Sequence, residues 1–350
     1  ECIIRGVTFE TLPDARAAAI LEEISAPDVN MDAIKLEKPP KIAVYSPPDK
    51  QPWDDAVTLV LKYAEIPYRV LYDEKILQDS LVRYDWIHLH HEDFTGQYGR
   101  FWLQFNSATW YKIQVATDEA MASKLGFKKV STMKLAVAKK LNAFVAGGGF
   151  MFAMCSATDS YDIALAAEGL DICDRMYDGD GFDQNMNSKL NFNNCFAFTN
   201  FELKTNSTQY EFSDIDTYET RVQKGVTETN DYFSLFEFSA KWDPVPTMLC
   251  QDHSNLIKGF WGQTAGYEKT KIKAGVLIMG ENKSNNEARY IHGDFGKGMW
   301  TFYAGHDPED YQHRVEEPPT DLSLYPNSAG YRLILNNVLF PAAKKKHQKT

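Results

Sequence analysis

The chain has 350 residues, with 37 Lys and Arg against 48 Asp and Glu, giving a net charge of −11. Hydrophobic residues at 44% and aromatics at 13% are enough for a substantial core, which excludes a wholly disordered chain. No apolar run approaches the roughly 20 residues that cross a bilayer, and the acid excess excludes a general nucleic-acid binder, which needs clustered Lys and Arg.

Residues 1–38 read as a separate N-terminal segment, incomplete at its start, with a strand-like run from Cys2 to Val7 and an Ala-rich helix around Ala15 to Ile24. Pro39 and Pro40 close it. From there to 343 the pattern is that of one α/β domain. Ile42 to Tyr45 is a short apolar run stopped by Pro47 and Pro48, which reads as a buried strand. Asp54 or Asp55 caps a helix carrying Val57, Val60, Leu61 and Ala64 at helical spacing. Strands follow at Tyr68 to Tyr72 and Trp86 to Leu89. Strand, helix and strand in this succession imply right-handed crossovers and a parallel sheet.

A helix is predicted from about Thr132 to Val145, stopped by Gly147-Gly148-Gly149. Phe150-Met151-Phe152-Ala153-Met154 then runs without polar alternation, the mark of a strand covered on both faces. Ser156, Thr158 and Asp159 offer N-caps for the next helix, which ends at Gly169. Residues 171–270, rich in Asn, Asp, Phe and Tyr, read as a large irregular insertion on the sheet's edge or carboxyl-end face. Its aromatics, Tyr210, Phe212, Tyr218, Tyr232, Phe233, Phe236 and Phe238, are expected to pack it to the core, a carbohydrate- or partner-binding face being the alternative. The core pattern resumes with strands at Val276 to Met279, Ala288 to His292 and Met299 to Tyr303, the last two joined by a turn at Gly296-Lys297-Gly298. A helix from Tyr331 to Leu339 ends at Pro341, and the lysines of 344–350 form a basic, solvated tail.

Cys155 stands between a buried strand and a helix start. Ligands of an open parallel sheet bind beyond the carboxyl ends of its strands, and a residue at a tight strand-to-helix turn is thrust out of the sheet top. The helix N-terminus favours thiolate and offers N–H groups to an oxyanion. Cys155 is therefore the candidate nucleophile, with the Ser156 N–H as an oxyanion donor; a buried, inert cysteine is the alternative. His306, following the last core strand, is the candidate base, and Glu309, in preference to Asp307, the group that orients it.

Phe144 to Phe150, Cys155-Ser156-Ala157-Thr158-Asp159, Gly296-Lys297-Gly298, Gly305-His306-Asp307-Pro308-Glu309 and the closing helix resemble the matching stretches of ThuA-like proteins, of the class I glutamine amidotransferase-like group. The match covers about residues 41–170 and 271–343 in order and spacing. The whole chain is also similar to exported Bacteroidetes-type proteins labelled asparagine synthetase B. The resemblance implies a flavodoxin-like three-layer sandwich with a mainly parallel sheet and a site at the Cys155 elbow. It further implies a periplasmic or envelope location, where Cys173 and Cys195 would be free to form a disulfide. ThuA-like proteins commonly carry histidine at the elbow; cysteine there matches the amidotransferases. Ala153 and Ala157 replace the glycines of the amidotransferase elbow, and three positions rather than two separate His306 from Glu309. Asparagine synthesis is excluded chemically: Cys2 follows Glu1, so its amine lies in a peptide bond, and Gly147-Gly148-Gly149 precedes a strand and cannot present a helix N-terminus to phosphate.

His88-Leu89-His90-His91-Glu92-Asp93 closes the third strand. Alternation places His88 and His90 on one face and His91 on the other. His90, His91, Glu92 and Asp93, with Asp159, are expected to line the substrate site. A zinc or iron site is the sharper alternative, set aside because three histidines crowded on one strand cannot reach one ion. The acidic turn at Asp174, Asp178, Asp180 and Asp183 is not an EF-hand, since the twelfth position is Lys189 or Asn185 where a bidentate Glu is required. The expectation is a Cys-dependent amidohydrolase with no metal and no cofactor, acting on a small-molecule amide or related carbonyl. The alternatives are a non-catalytic component that binds an envelope protein partner, and a sugar-utilisation protein.

Overall fold

The computed structural model describes residues 10–24, 26, 38–48, 53–236, 254–311, 314–339 and 341–342. The strand expected at Cys2 to Val7, Phe238 and the basic tail lie outside them. The elements in chain order are α1 (Asp14–Ile24), β1 (Ile42–Tyr45), α2 (Ala56–Tyr63), β2 (Tyr68–Leu71), α3 (Asp73–Leu77), β3 (Trp86–Leu89), α4 (Trp102–Phe105), α5 (Thr109–Lys124), α6 (Val130–Ala146), β4 (Phe150–Met154) and α7 (Ser156–Ala166). There follow α8 (Arg175–Asp178), α9 (Tyr218–Gln223), β5 (Tyr232–Leu235), β6 (Leu256–Lys258), β7 (Tyr267–Glu268), β8 (Leu277–Asn282), β9 (Glu287–Phe295), β10 (Gly298–Tyr303) and α10 (Ala329–Asn336).

Asp55 caps α2 as its position suggests: its carboxylate accepts the N–H groups of Val57 and Thr58, satisfying donors that the first turn leaves open. Strand β4 is buried at every position, as a run without alternation requires. Its side chains divide between the two faces of the sheet. Phe150, Phe152 and Met154 pack with Val57, Val60 and Leu61 of α2 and with Leu333 and Ile334 of α10. Met151 and Ala153 pack with Val137 and Leu141 of α6 and with Ala157 and Tyr161 of α7. The sheet is thus covered by helices on both sides.

The sheet itself corrects the expectation of a mainly parallel, flavodoxin-like sandwich. Its ten strands run β2-β1-β3-β4-β10-β9-β8-β5-β6, with β7 paired to β9. From β2 to β10 the pairings are parallel; every other pairing is antiparallel. Two causes combine. The turn at Gly296-Lys297 joins β9 directly to β10, and a tight hairpin can only be antiparallel. The segment 171–270 then extends the same sheet with β5, β6 and β7, so it is not wholly irregular. It is pinned to α7 by the buried carboxylate of Asp162, which accepts the N–H groups of Phe196, Ala197 and Phe198 at 2.7, 2.8 and 2.9 Å.

A buried ionic cluster lies on the α6 side. Lys134 donates to Asp73 (2.9 Å) and to the hydroxyls of Tyr72 (2.8 Å) and Tyr45 (3.1 Å), with Asp118 at 3.6 Å. Cys173 and Cys195 are both free and buried. Each is held apart by its own backbone acceptor, Thr95 O for Cys173 and Asp162 O for Cys195, so the expected disulfide is absent. In the acidic turn, the Lys129 ammonium binds Asp171, Asp178 and Asp180.

Candidate active site at the Cys155 elbow

Strand β4 ends at Met154, paired with Tyr303 of β10. One residue beyond β4 is Cys155 and three beyond β10 is His306, so the two strand ends deliver both side chains to one rim. Cys155 adopts φ 54° and ψ −139°, a conformation that an L-residue holds only under constraint. The constraint is visible: its N–H is shared between the carbonyls of Tyr303 and Gly305, each at 3.1 Å. Cys155 itself is the N-cap residue of α7, while Ser156, Thr158 and Asp159, expected as caps, lie within its first turns.

The loop before β7 completes the site. Gly305 donates to Thr264 O (2.7 Å) and His306 to Trp261 O (2.8 Å), and Gln263 N–H donates to Cys155 Sγ at 3.2 Å. Between them Gly262 has φ 151°, and a Cβ there would stand 2.8 Å from His306 Cδ2 and 2.9 Å from Cys155 Sγ. Sulfur and imidazole therefore face each other across a residue with no side chain. The sulfur is 2% exposed at the residue level. Burial pushes its thiol up to about 11, against the opposing pull of the Thr264, Ser156 and Gln263 N–H groups. At neutral pH it rests as a thiol.

In front of the sulfur is a cavity of about 280 Å³. Its walls are aromatic (Trp53, Phe101, Phe105, Tyr210, Tyr218 and Trp261), and its polar groups are His91, Cys155, Ser156, Glu211, Gln263 and His306. The Gln263 amide is fixed by bonds to Gly99 O (2.8 Å) and Tyr210 O (2.7 Å). Of the aromatics singled out in the insertion, Tyr210 and Tyr218 line this cavity, whereas Phe212 and Phe233 are core and Tyr232 is exposed.

Glu309 does not reach the imidazole. Its recorded bond is from its own N–H to Asp307 Oδ1, 2.9 Å. Asp307 also accepts from Asp310 N and the Tyr331 hydroxyl, organising the loop after His306.

The residues expected to line the site separate. His91 lines the cavity, stacked edge-on with Trp53 at 4.7 Å between centroids. His90 is buried behind it, with ring centroids 3.4 Å apart. The alternation argument does not hold for this pair because β3 stops at Leu89. Asp93 faces inward and gathers the N–H groups of Thr95, Gln97 and Gly99, shaping a loop. Glu92 is buried among acidic groups near Lys134, and desolvation pushes its carboxyl up to about 8. Asp159, also buried, accepts from Thr264 Oγ1 at 3.0 Å, and burial raises it to about 7. These three carboxyls support the site from behind. His88 is core: its ring bonds Phe152 O (3.2 Å) and Asp55 (3.3 Å).

His90, His91 and His306 each offer a ring nitrogen, and the three atoms lie within 4.8 Å of one another. Asp55 Oδ1 stands 4.0 Å from His90 Nε2. Desolvation, reinforced by the neighbouring histidines and opposed by Asp55, holds His90 well below its ordinary pKa. The sequence did not point to Trp53, Gly262, Gln263, Thr264 or Glu211, which carry no motif. The Gly-Gln-Thr string before β7 was the one available signal.

No family model and no curated protein matches the chain. Solved structures with similar coordinates include two proteins of Salmonella typhimurium. STM3548 has TM-score 0.43 and 7% identity, and STM1381 has TM-score 0.40 and 12% identity; each comparison covers 87% of this chain and all of the other. An exo-beta-1,4-mannosidase, Op5Man5 from Opitutaceae bacterium strain TAV5, has TM-score 0.35 and 10% identity over 88% of this chain and 37% of its own. These likenesses are too distant to assign a fold family or a function. Both Salmonella proteins are described as cytoplasmic, unlike the periplasmic or envelope location that the resemblance implies for this chain, and that expectation is not carried further. Among the described residues no helix is long and apolar enough to cross a membrane.

Proposed function

We propose that the protein is a cysteine-dependent acyl hydrolase of the ThuA-like, amidotransferase-like kind, acting on a small amide or related carbonyl compound. The observation that carries this reading is the strained backbone of Cys155 (φ 54°), whose side chain lines a cavity of about 280 Å³ together with His306. Such strain is retained where a side chain must be held at a reacting position.

In this reading the Cys155 sulfur attacks the carbonyl carbon as His306 takes the thiol proton. A thiol pushed up to about 11 is not stored as thiolate, so proton removal accompanies attack. The carbonyl oxygen gains the negative charge and is held by N–H groups at the elbow, those of Ser156 and Gln263 being the candidate donors. When the carbon–nitrogen bond breaks, His306 returns the proton to the departing amine. Water then cleaves the thioester, releasing the acid and restoring the thiol.

The test is acylation by p-nitrophenyl acetate, read by peptide mass. One acetyl group on Cys155, lost in Cys155→Ala and slowed at least about 100-fold in His306→Asn, is the expected result. Acetylation no faster than that of a free thiol, or undiminished in His306→Asn, would refute the assignment. The aromatic walls favour a substrate with a flat or apolar part. They also motivate a second reading, sugar binding, which would survive Cys155→Ala.

A further inference from the structure

We infer that His90, His91 and His306 form a binding site for a divalent transition-metal ion, with zinc as the expected occupant. The sequence argument against a metal rested on three histidines of one strand. The structure replaces the wrong one: His88 turns into the core, and His306 arrives from the end of β10. Three ring nitrogens, none more than 4.8 Å from another, lie in the range of the roughly 3.4 Å that zinc–nitrogen bonds of about 2.0–2.1 Å impose in a tetrahedron.

Imidazole donors suit zinc and its neighbours in the first transition row, and not calcium or magnesium. His90 is 4% exposed and its Nε2 has no hydrogen-bond partner among the described residues. That is a costly arrangement for a buried polar atom unless something else is bound in the cluster. Asp55 Oδ1 stands 4.0 Å from the same nitrogen and adds a negative charge beside the cluster, which favours a bound cation. Because His91 and His306 both line the cavity, the ion would sit in its wall with a coordination position open to solvent or to a bound molecule. Three protein ligands and one open position is the pattern of a reactive rather than a closed structural site.

Where the His306 nitrogen that binds the ion is the one that would take the Cys155 proton, a bound ion blocks that proton transfer. The inference stands on the convergence of three imidazoles and does not require Cys155 to be a nucleophile.

The experiment is titration of the metal-stripped full chain with zinc against a chromophoric chelator, and with cobalt, whose visible spectrum reports coordination. One equivalent bound, with a four-coordinate cobalt spectrum, is expected. His91→Asn and His306→Asn should each weaken binding by more than the roughly 10–100-fold that loss of an outer-shell partner costs. Asp55→Asn, which keeps an N-cap for α2, should weaken it less than either, while Glu309→Gln leaves it unchanged. Absence of stoichiometric binding to the folded chain, or binding that survives both His91→Asn and His306→Asn, overturns the proposal. Zinc binding and acylation are read separately, so either can fail alone.

Discussion

The backbone N–H of Gln263 donates to the sulfur of Cys155 at 3.2 Å across 108 positions of sequence. That bond joins a loop of the long insertion to the elbow, so the insertion is part of the site and not an ornament beside it. Gly305 and His306 are tied to the same loop through Thr264 O and Trp261 O. Sulfur, imidazole and cavity wall are therefore positioned by one short segment, residues 261–264.

Gly262 is the most sensitive point of that segment. A methyl group there meets both His306 and Cys155 below 3 Å, at a φ of 151° that suits glycine. Gly262→Ala is expected to fold, since the collision is confined to the site, but to lower acylation of Cys155 by about 100-fold through misplacement of the pair. Full activity in the alanine variant would show that sulfur and ring do not act across this gap.

The Cys155 thiol, pushed up to about 11, sets a pH profile. Alkylation by iodoacetamide in the native protein should climb with pH through 9 and 10 without levelling. In the unfolded chain it should level near the ordinary thiol value of about 8.5. Cys173 and Cys195, also buried and raised, should label more slowly still because they do not line the cavity. A native plateau below pH 8 would mean a resting thiolate–imidazolium pair instead.

Asp159 couples stability to pH. Its carboxyl is raised from 3.8 to about 7 by burial, so between those values the folded chain keeps a proton that the unfolded chain has released. Stability falls as pH rises through that window, and the loss is complete above pH 7. Asp159→Asn removes the titration and keeps an acceptor for Thr264. It should be more stable than the parent at pH 8, by a few kcal/mol, and gain little at pH 4. Denaturant unfolding at both values checks this; an equal effect at the two would refute it.

Lys134 neutralises a cluster of buried acids. Lys134→Met should lower stability by about 3–5 kcal/mol at neutral pH, the cost of leaving a buried charge without its partner. Because the Asp118 carboxyl beside the ammonium is itself raised by burial, part of that loss should be recovered in acid, where it takes up a proton. A loss that does not change with pH would point to packing as the cause.

What the sequence determined by itself was local. The apolar run at Phe150 to Met154, the glycine turn at Gly296, the Asp55 cap and the strand ends at Cys155 and His306 each follow from periodicity, turn chemistry or capping within about ten residues. Tertiary structure decided the rest. It set the antiparallel half of the sheet, kept Cys173 apart from Cys195, left Glu309 away from the imidazole, and brought His306 to His90 and His91 while His88 turned inward. Those outcomes depend on which distant segments pack together and how each backbone N–H or buried charge finds a partner. No local pattern specifies that, because the partners are distant in the chain: 78 positions separate Cys173 from Thr95, 33 separate Cys195 from Asp162 and 64 separate His88 from Phe152.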